Sequence, residues 1–171
     1  GGSTTITTRT VNYGVAVDLT PTAVKTGYAF VGWNTNKDAK EKLTSLTMGT
    51  SNITLYAIYS KTTTYNFYQL DKTNDSKSVT IYNNEPNGTI TAPTLDTVSG
   101  LAIVGWGESA TATTIGLTSG QSNITATSDK TYYAVYNYTV TIKYNGNNST
   151  SGSVDNSTGI AYRTANPTSS S

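Results

Sequence analysis

A chain of 171 residues can hold one large domain or two small ones, and its 11 basic against 10 acidic residues leave a formal charge of +1 spread along its length. No basic patch offers a track for nucleic acid, and with no histidine and no cysteine the sequence can build neither a Ser-His-Asp or Cys-His nucleophile, nor a His or Cys zinc site, nor a disulfide. Charged residues make up only 12%, about half the ordinary share, so Thr, Ser, Asn and Gly carry the polarity and give a neutral, hydroxyl-rich surface suited to extracellular conditions.

The chain opens on "GGSTTITT", which has neither Met nor an apolar leader and reads as an interior or processed start. No apolar run approaches the ~20 residues of a membrane helix. After "VNYG" and Pro21 comes "GYAFVGWNTN" (27–36), a strand whose alternation puts Tyr28, Phe30 and Gly32 on one face and Ala29, Val31 and Trp33 on the other. A glycine inside such a strand marks a bulge or the close approach of a neighbour. "NKDAKEKLTSL" (36–46) offers one or two helical turns with Leu43 and Leu46 inward, and "LYAIYS" (55–60), carrying Tyr56, returns to strand. "TYNFYQL" (64–70) and "SVTIY" (78–82) are strands joined through the polar turn "DKTND" (71–75). Pro93 then precedes "GLAIVGWGES" (100–109), with Ile103, Gly105 and Trp106 in the same frame as the first box, and "TYYAVYNY" (131–138) presents Tyr133 where the earlier strand has Tyr56. Finally "TVTIKYNG" (139–146) alternates Val140, Ile142 and Tyr144 against Thr139, Thr141 and Lys143 and ends in an Asn-Gly turn.

These elements recur. "TMGTSNIT" (47–54) returns as "TSGQSNIT" (118–125), and "LYAIYS" as "YYAVYN" 77 positions on, while Pro21, Pro93 and Pro167 keep a similar spacing. The expected division is a first repeat over 1–61 without its opening strand, a second over 62–138, and the start of a third over 139–171. The fold class is mainly β, α+β at most. Tyr28, Phe30, Gly32, Trp33, Tyr56, Ile103, Gly105, Trp106 and Tyr133 are the expected structural core. For the two tryptophans, the competing use is a platform for sugar stacking, and two copied core anchors is the reading preferred.

Strand, turn, strand ending "VNYG", a Pro, "GYAFVGWNT" and "NITLYAIY", in that order, resemble the Listeria–Bacteroides repeat, called the B repeat in internalin-type surface proteins. The second copy departs from it, with "LAIVGW" for the aromatic box and "YYAVY" for its last strand. The resemblance implies tandem small β-grasp-like domains on a bacterial cell-surface or secreted protein, and it brings no catalytic residue. The ten carboxylates sit mostly in turn-like stretches that the copies do not share, so no acid–base pair of the kind a glycosidase needs stands out. "DKTND" could offer Ca²⁺ oxygen ligands at Asp71 and Asp75 but lacks the EF-hand pattern, and Lys143, alternating outward, is a poor candidate for an isopeptide crosslink. The expected protein is therefore not an enzyme and has no cofactor, no metal, no nucleic-acid partner and no membrane insertion. It is a monomer whose partners are neighbouring repeats, acting as a stalk or spacer in an adhesin-like array. The alternative is a repeat that itself binds a host protein or glycan through a sheet edge or a groove of tyrosines.

Overall fold

The computed structural model of the chain describes residues 8–70, 73–145, 147–148, 150–153 and 155–165; Asp71, Gly146 and Pro167, each used above, lie outside them. Among the described residues every regular element is a strand: β1 (Ala29–Asn34), β2 (Tyr56–Tyr68), β3 (Asp75–Tyr82), β4 (Thr89–Ile90), β5 (Ala102–Gly107), β6 (Ile124–Thr125), β7 (Lys130–Ile142) and β8 (Ser157–Thr164). The fold is mainly β with mixed pairing, in keeping with its excess of Thr and Tyr.

The helical turns allowed for residues 36–46 do not form. The Asn34 and Asn36 side-chain oxygens each accept the backbone N–H two residues on, at 2.9 and 3.0 Å. Such local bonds draw the backbone away from a helix, and the segment runs through turns and bends until the Leu43 N–H reaches the Trp33 carbonyl at 2.8 Å.

The chain divides into two compact units, Gly1–Thr63 with Val79–Gly88, and Thr64–Ser78 with Thr89–Ser171. In the first, β1 runs antiparallel to the start of β2, with Trp33 opposite Ala57 and Asn34 opposite Tyr56. Asn83, at φ 51°, ties this unit together. Its backbone N–H donates to the Tyr59 carbonyl and its side-chain oxygen accepts the Tyr59 N–H, while its amide nitrogen donates to the carbonyls of Lys37 and Ala39. Asn is one of the few residues that takes this left-handed conformation readily. Ala23, Ile58, Tyr59 and Ile81 are buried here.

In the second unit, residues 65–68 of β2 pair in parallel with residues 130–133 of β7. β7 pairs antiparallel with β5, Trp106 opposite Ala134, and antiparallel with β8 from Val135↔Thr164 to Ile142↔Ser157. The order β3-β2-β7-β5 thus has a parallel pair at its centre, which only a long crossover connection can supply. "TVTIKYNG" is not a separate strand. β7 runs unbroken through Ile142, and it is β8 that returns to pair with residues 135–142; the Ala165 N–H extends this ladder to the Ala134 carbonyl at 3.0 Å.

Candidate functional site

The repeated tryptophan box is the feature most in need of a use, and each box is built the same way. The strand register slips between Phe30 and Gly32 in β1, and between Ile103 and Gly105 in β5. Each slip is a bulge, and the glycine after it sits at φ 148° in Gly32 and 146° in Gly105, a conformation that residues with a Cβ avoid. A Cβ on Gly105 would also lie 2.6 Å from the Leu117 carbonyl oxygen, and one on Gly32 would run into the Lys42 side chain. The bulge and the close approach are both present.

The bulge breaks the simple alternation of the box. Phe30 and Trp33 are brought edge to face at 5.5 Å instead of standing on opposite faces. Each indole N–H is then claimed by the proline carbonyl ahead of its box: Trp33 donates to Pro21 at 2.6 Å, and Trp106 to Pro93 at 3.0 Å. The Trp106 backbone is also bonded in both directions across to Leu117, at 2.9 and 3.2 Å.

The surroundings of the two rings differ. Trp106 is 0% exposed, held edge-on by Phe67 at 4.9 Å, and Phe67 stacks on Tyr132 at 5.6 Å. Trp33 is only half-buried. Of the other expected core residues, Gly32 and Gly105 are buried; Tyr28, Phe30 and Tyr133 are half-buried, Tyr133 stacking on Tyr68 at 5.1 Å. Tyr56 and Ile103 are corrections: both are exposed, at 41% and 38%. Tyr56 holds the position of Tyr133, but no strand among the described residues stands beside it as Tyr68 stands beside Tyr133. Ile103 precedes the bulge on β5, at the sheet edge, and only the residues after the bulge turn inward. Phe67, Tyr65, Tyr132 and Val135, all buried, were missed. The signal available for Phe67 and Tyr132 was their membership of the first and last strands of the repeat; the even spacing of Pro21 and Pro93 before the boxes pointed to the indole acceptors.

Among the described residues, no three of the Asp and Glu side chains gather as a metal site would require. Several are paired at the surface, Glu108 with Lys130 at 3.0 Å, Glu85 with Lys40 at 2.8 Å and Asp75 with Lys77 at 2.8 Å. A shallow depression of about 520 Å³ lies along residues 108–116 and is mostly polar, with Glu108 as its one carboxylate. The hydrogen bond from Lys130 holds the Glu108 carboxyl below its ordinary range, and the Tyr132 hydroxyl donates to the same oxygen. Burial pushes the phenols of Tyr59 and Tyr132 up. The chemistry of the site is that of a core, with its polar edges consumed by the backbone. No helix among the described residues is long and apolar enough to cross a membrane.

Residues 1–58 match the family model of the Listeria-Bacteroides repeat domain, and that stretch is a repeat of this kind; such domains occur in bacterial surface or secreted proteins. No curated protein and no solved structure matches the chain significantly.

Proposed function

We propose that the chain is a non-enzymatic structural segment of a bacterial cell-surface or secreted protein, a stalk or spacer in an adhesin-like array that holds other domains away from the surface. The observation that carries this is the use made of the tryptophans in a repeat of that family. A platform for sugar stacking needs an open ring face; Trp106, fully buried, has none, and Trp33 is half-buried with its N–H bonded to the Pro21 carbonyl. The charge-poor surface and the surface pairing of Glu108, Glu85 and Asp75 agree with a passive part, and no cofactor or metal is part of the reading.

The second reading, direct binding of a host protein or glycan, draws on one specific observation: Tyr13, Tyr138, Tyr144 and Tyr162 are exposed, at 76%, 38%, 54% and 42%. The test is binding of the full chain to a glycan array and to immobilised matrix proteins. The spacer predicts no binding that is lost when Tyr13, Tyr138, Tyr144 and Tyr162 are changed to Ser. Saturable binding abolished by those changes would replace the spacer with an adhesin.

A further inference from the structure

An asparagine side chain is chemically safe when its amide is tied down and the next backbone nitrogen is kept away from it. Three asparagines of the first unit meet both conditions. The Asn34 amide nitrogen donates to the Glu41 carbonyl while its oxygen accepts the Asn36 N–H, and the Asn36 oxygen accepts the Asp38 N–H. The Asn83 side chain is bonded at both ends, to the Tyr59 N–H and to the carbonyls of Lys37 and Ala39. The residues that follow these three, Thr35, Lys37 and Asn84, each carry a Cβ that crowds the approach of their own nitrogen to the preceding side chain.

Asn87 meets neither condition. It is exposed and lies in the stretch 85–88, which belongs to no strand. Among the described residues, neither its side chain nor the Gly88 N–H has a hydrogen-bond partner. The residue after it is a glycine, so no Cβ shields the nitrogen. That glycine is set by packing: a Cβ on Gly88 would run into the side chain of Val79, a β-branched residue with little rotamer freedom, within the same segment Val79–Gly88 of the first unit. The fold thus places an unprotected asparagine in front of a glycine it cannot do without. The other Asn-Gly pair, at 145–146, has its glycine outside the described residues.

We propose that Asn87 is a site of spontaneous modification, at which the side-chain amide is lost and residue 87 becomes a mixture of aspartate and isoaspartate. The Gly88 nitrogen, its proton taken by hydroxide, attacks Asn87 Cγ, and the bond from Cγ to the amide nitrogen breaks to release ammonia. Water then opens the resulting five-membered imide at either carbonyl, and it is the only co-reactant. Asparagine is among the residues that heat degrades most readily. The product adds one negative charge, which takes the formal charge of the chain from +1 to 0. In the isoaspartate form the main chain is one carbon longer just ahead of β4, whose Thr89 and Ile90 pair with Thr125 and Ile124. This goes beyond the spacer reading and does not depend on it.

The test is incubation of the full chain in mildly alkaline buffer, folded and in concentrated urea, with the peptide spanning residue 87 followed by mass spectrometry and isoaspartate counted by methyltransferase labelling. The peptide should gain about 1 Da. Folding should slow its conversion by less than about threefold, because a segment outside the strand ladders has no local opening to wait for. Asn34, Asn36 and Asn83 should stay intact over the same period. Asn87→Gln should abolish the change and, at an exposed position, keep the parent melting curve. Gly88→Ala should slow the conversion and lower the melting temperature through the clash with Val79. Protection of Asn87 by folding of about tenfold or more, conversion of the tied asparagines as fast as Asn87, or a Gly88→Ala chain that melts like the parent would each overturn the proposal. None of these outcomes bears on binding by the exposed tyrosines, so the spacer reading stands or falls separately.

Discussion

Replacing Trp106 by alanine should cost the second unit more than the equivalent change at Trp33 costs the first. An aromatic ring of this size buries on the order of 200 Å², which at ~25 cal/mol/Å² sets a ceiling of ~5 kcal/mol. Alanine recovers little of that in a site enclosed by Phe67. The change also removes the indole donor from the Pro93 carbonyl, which keeps the Gly120 N–H, so the lost bond adds only ~0.5–1.5 kcal/mol. Trp106→Ala is therefore expected at the upper part of the ~3–5 kcal/mol range for emptied aromatic sites. Trp33 is less buried, and among the described residues nothing covers it as Phe67 covers Trp106, so Trp33→Ala should cost less.

Hydrogen exchange is the suitable assay, because amides in β5 and β7 report on the second unit and those in β1 on the first. Trp106→Ala should strip most protection from β5 and β7, and Phe67→Ala should reproduce the larger part of that loss while moving the Trp106 emission to longer wavelength. Equal losses for the two tryptophans, or an unshifted Trp106 emission in Phe67→Ala, would refute the idea that the opening strand completes the burial of the box.

Gly105→Ala should destabilise by several kcal/mol, since the new Cβ meets the fixed Leu117 carbonyl oxygen at a φ of 146°; a melting temperature near that of the parent would show that the bulge can relax. Stability should be flat across neutral pH, because no histidine titrates there. Glu85 and Glu108 have folded pKa values below 4.5, so what they contribute is complete above 4.5 and is lost as pH falls through the folded values. Tyr59 and Tyr132 have folded values above 10.0, so their contribution is present below 10.0 and is lost as pH rises further, and a melting temperature that changes steeply between about pH 6 and pH 8 would contradict both signs. Truncation after Tyr138 removes β8 and should speed exchange at Val135–Asn137, to which β8 pairs; unchanged rates would mean that β8 adds nothing to that edge.

The boxes were legible because their geometry is local. A glycine before a tryptophan in a strand needs only its own bulge, and the proline that receives the indole lies 12 or 13 residues away. The β class was legible from alternation and from the Thr and Tyr excess. The burial of particular side chains was not. Whether Tyr56 or Tyr133 is covered depends on a strand elsewhere in the sequence, and the alternation that assigned faces within "YAFVGW" fails at Val31, where the bulge inserts a residue with no partner. The helical turns expected at 36–46 were lost to Asn34 and Asn36, whose side chains offered the backbone a nearer partner.

The least legible feature was the length of β7. Read by repeats, Tyr138 closes one copy and Thr139 opens another, which suggests a joint. In the structure the strand passes through that point without a break, and Tyr138 pairs with Ala161 and Thr139 with Ile160 in one register. A boundary placed inside a paired strand cannot bend without breaking ladder hydrogen bonds, whereas a boundary placed in a Gly- or Ser-rich linker can. The returning strand β8 also covers an edge of β7 that would otherwise be open to aggregation, and Ala165, 1% exposed, anchors its end. In chains built of repeats, stability is carried by each unit and by its interface with the next. Across Tyr138 and Thr139 the chain is held by the same ladder of backbone hydrogen bonds as the rest of β7, so a repeat boundary read at that point is as stiff as the strand itself.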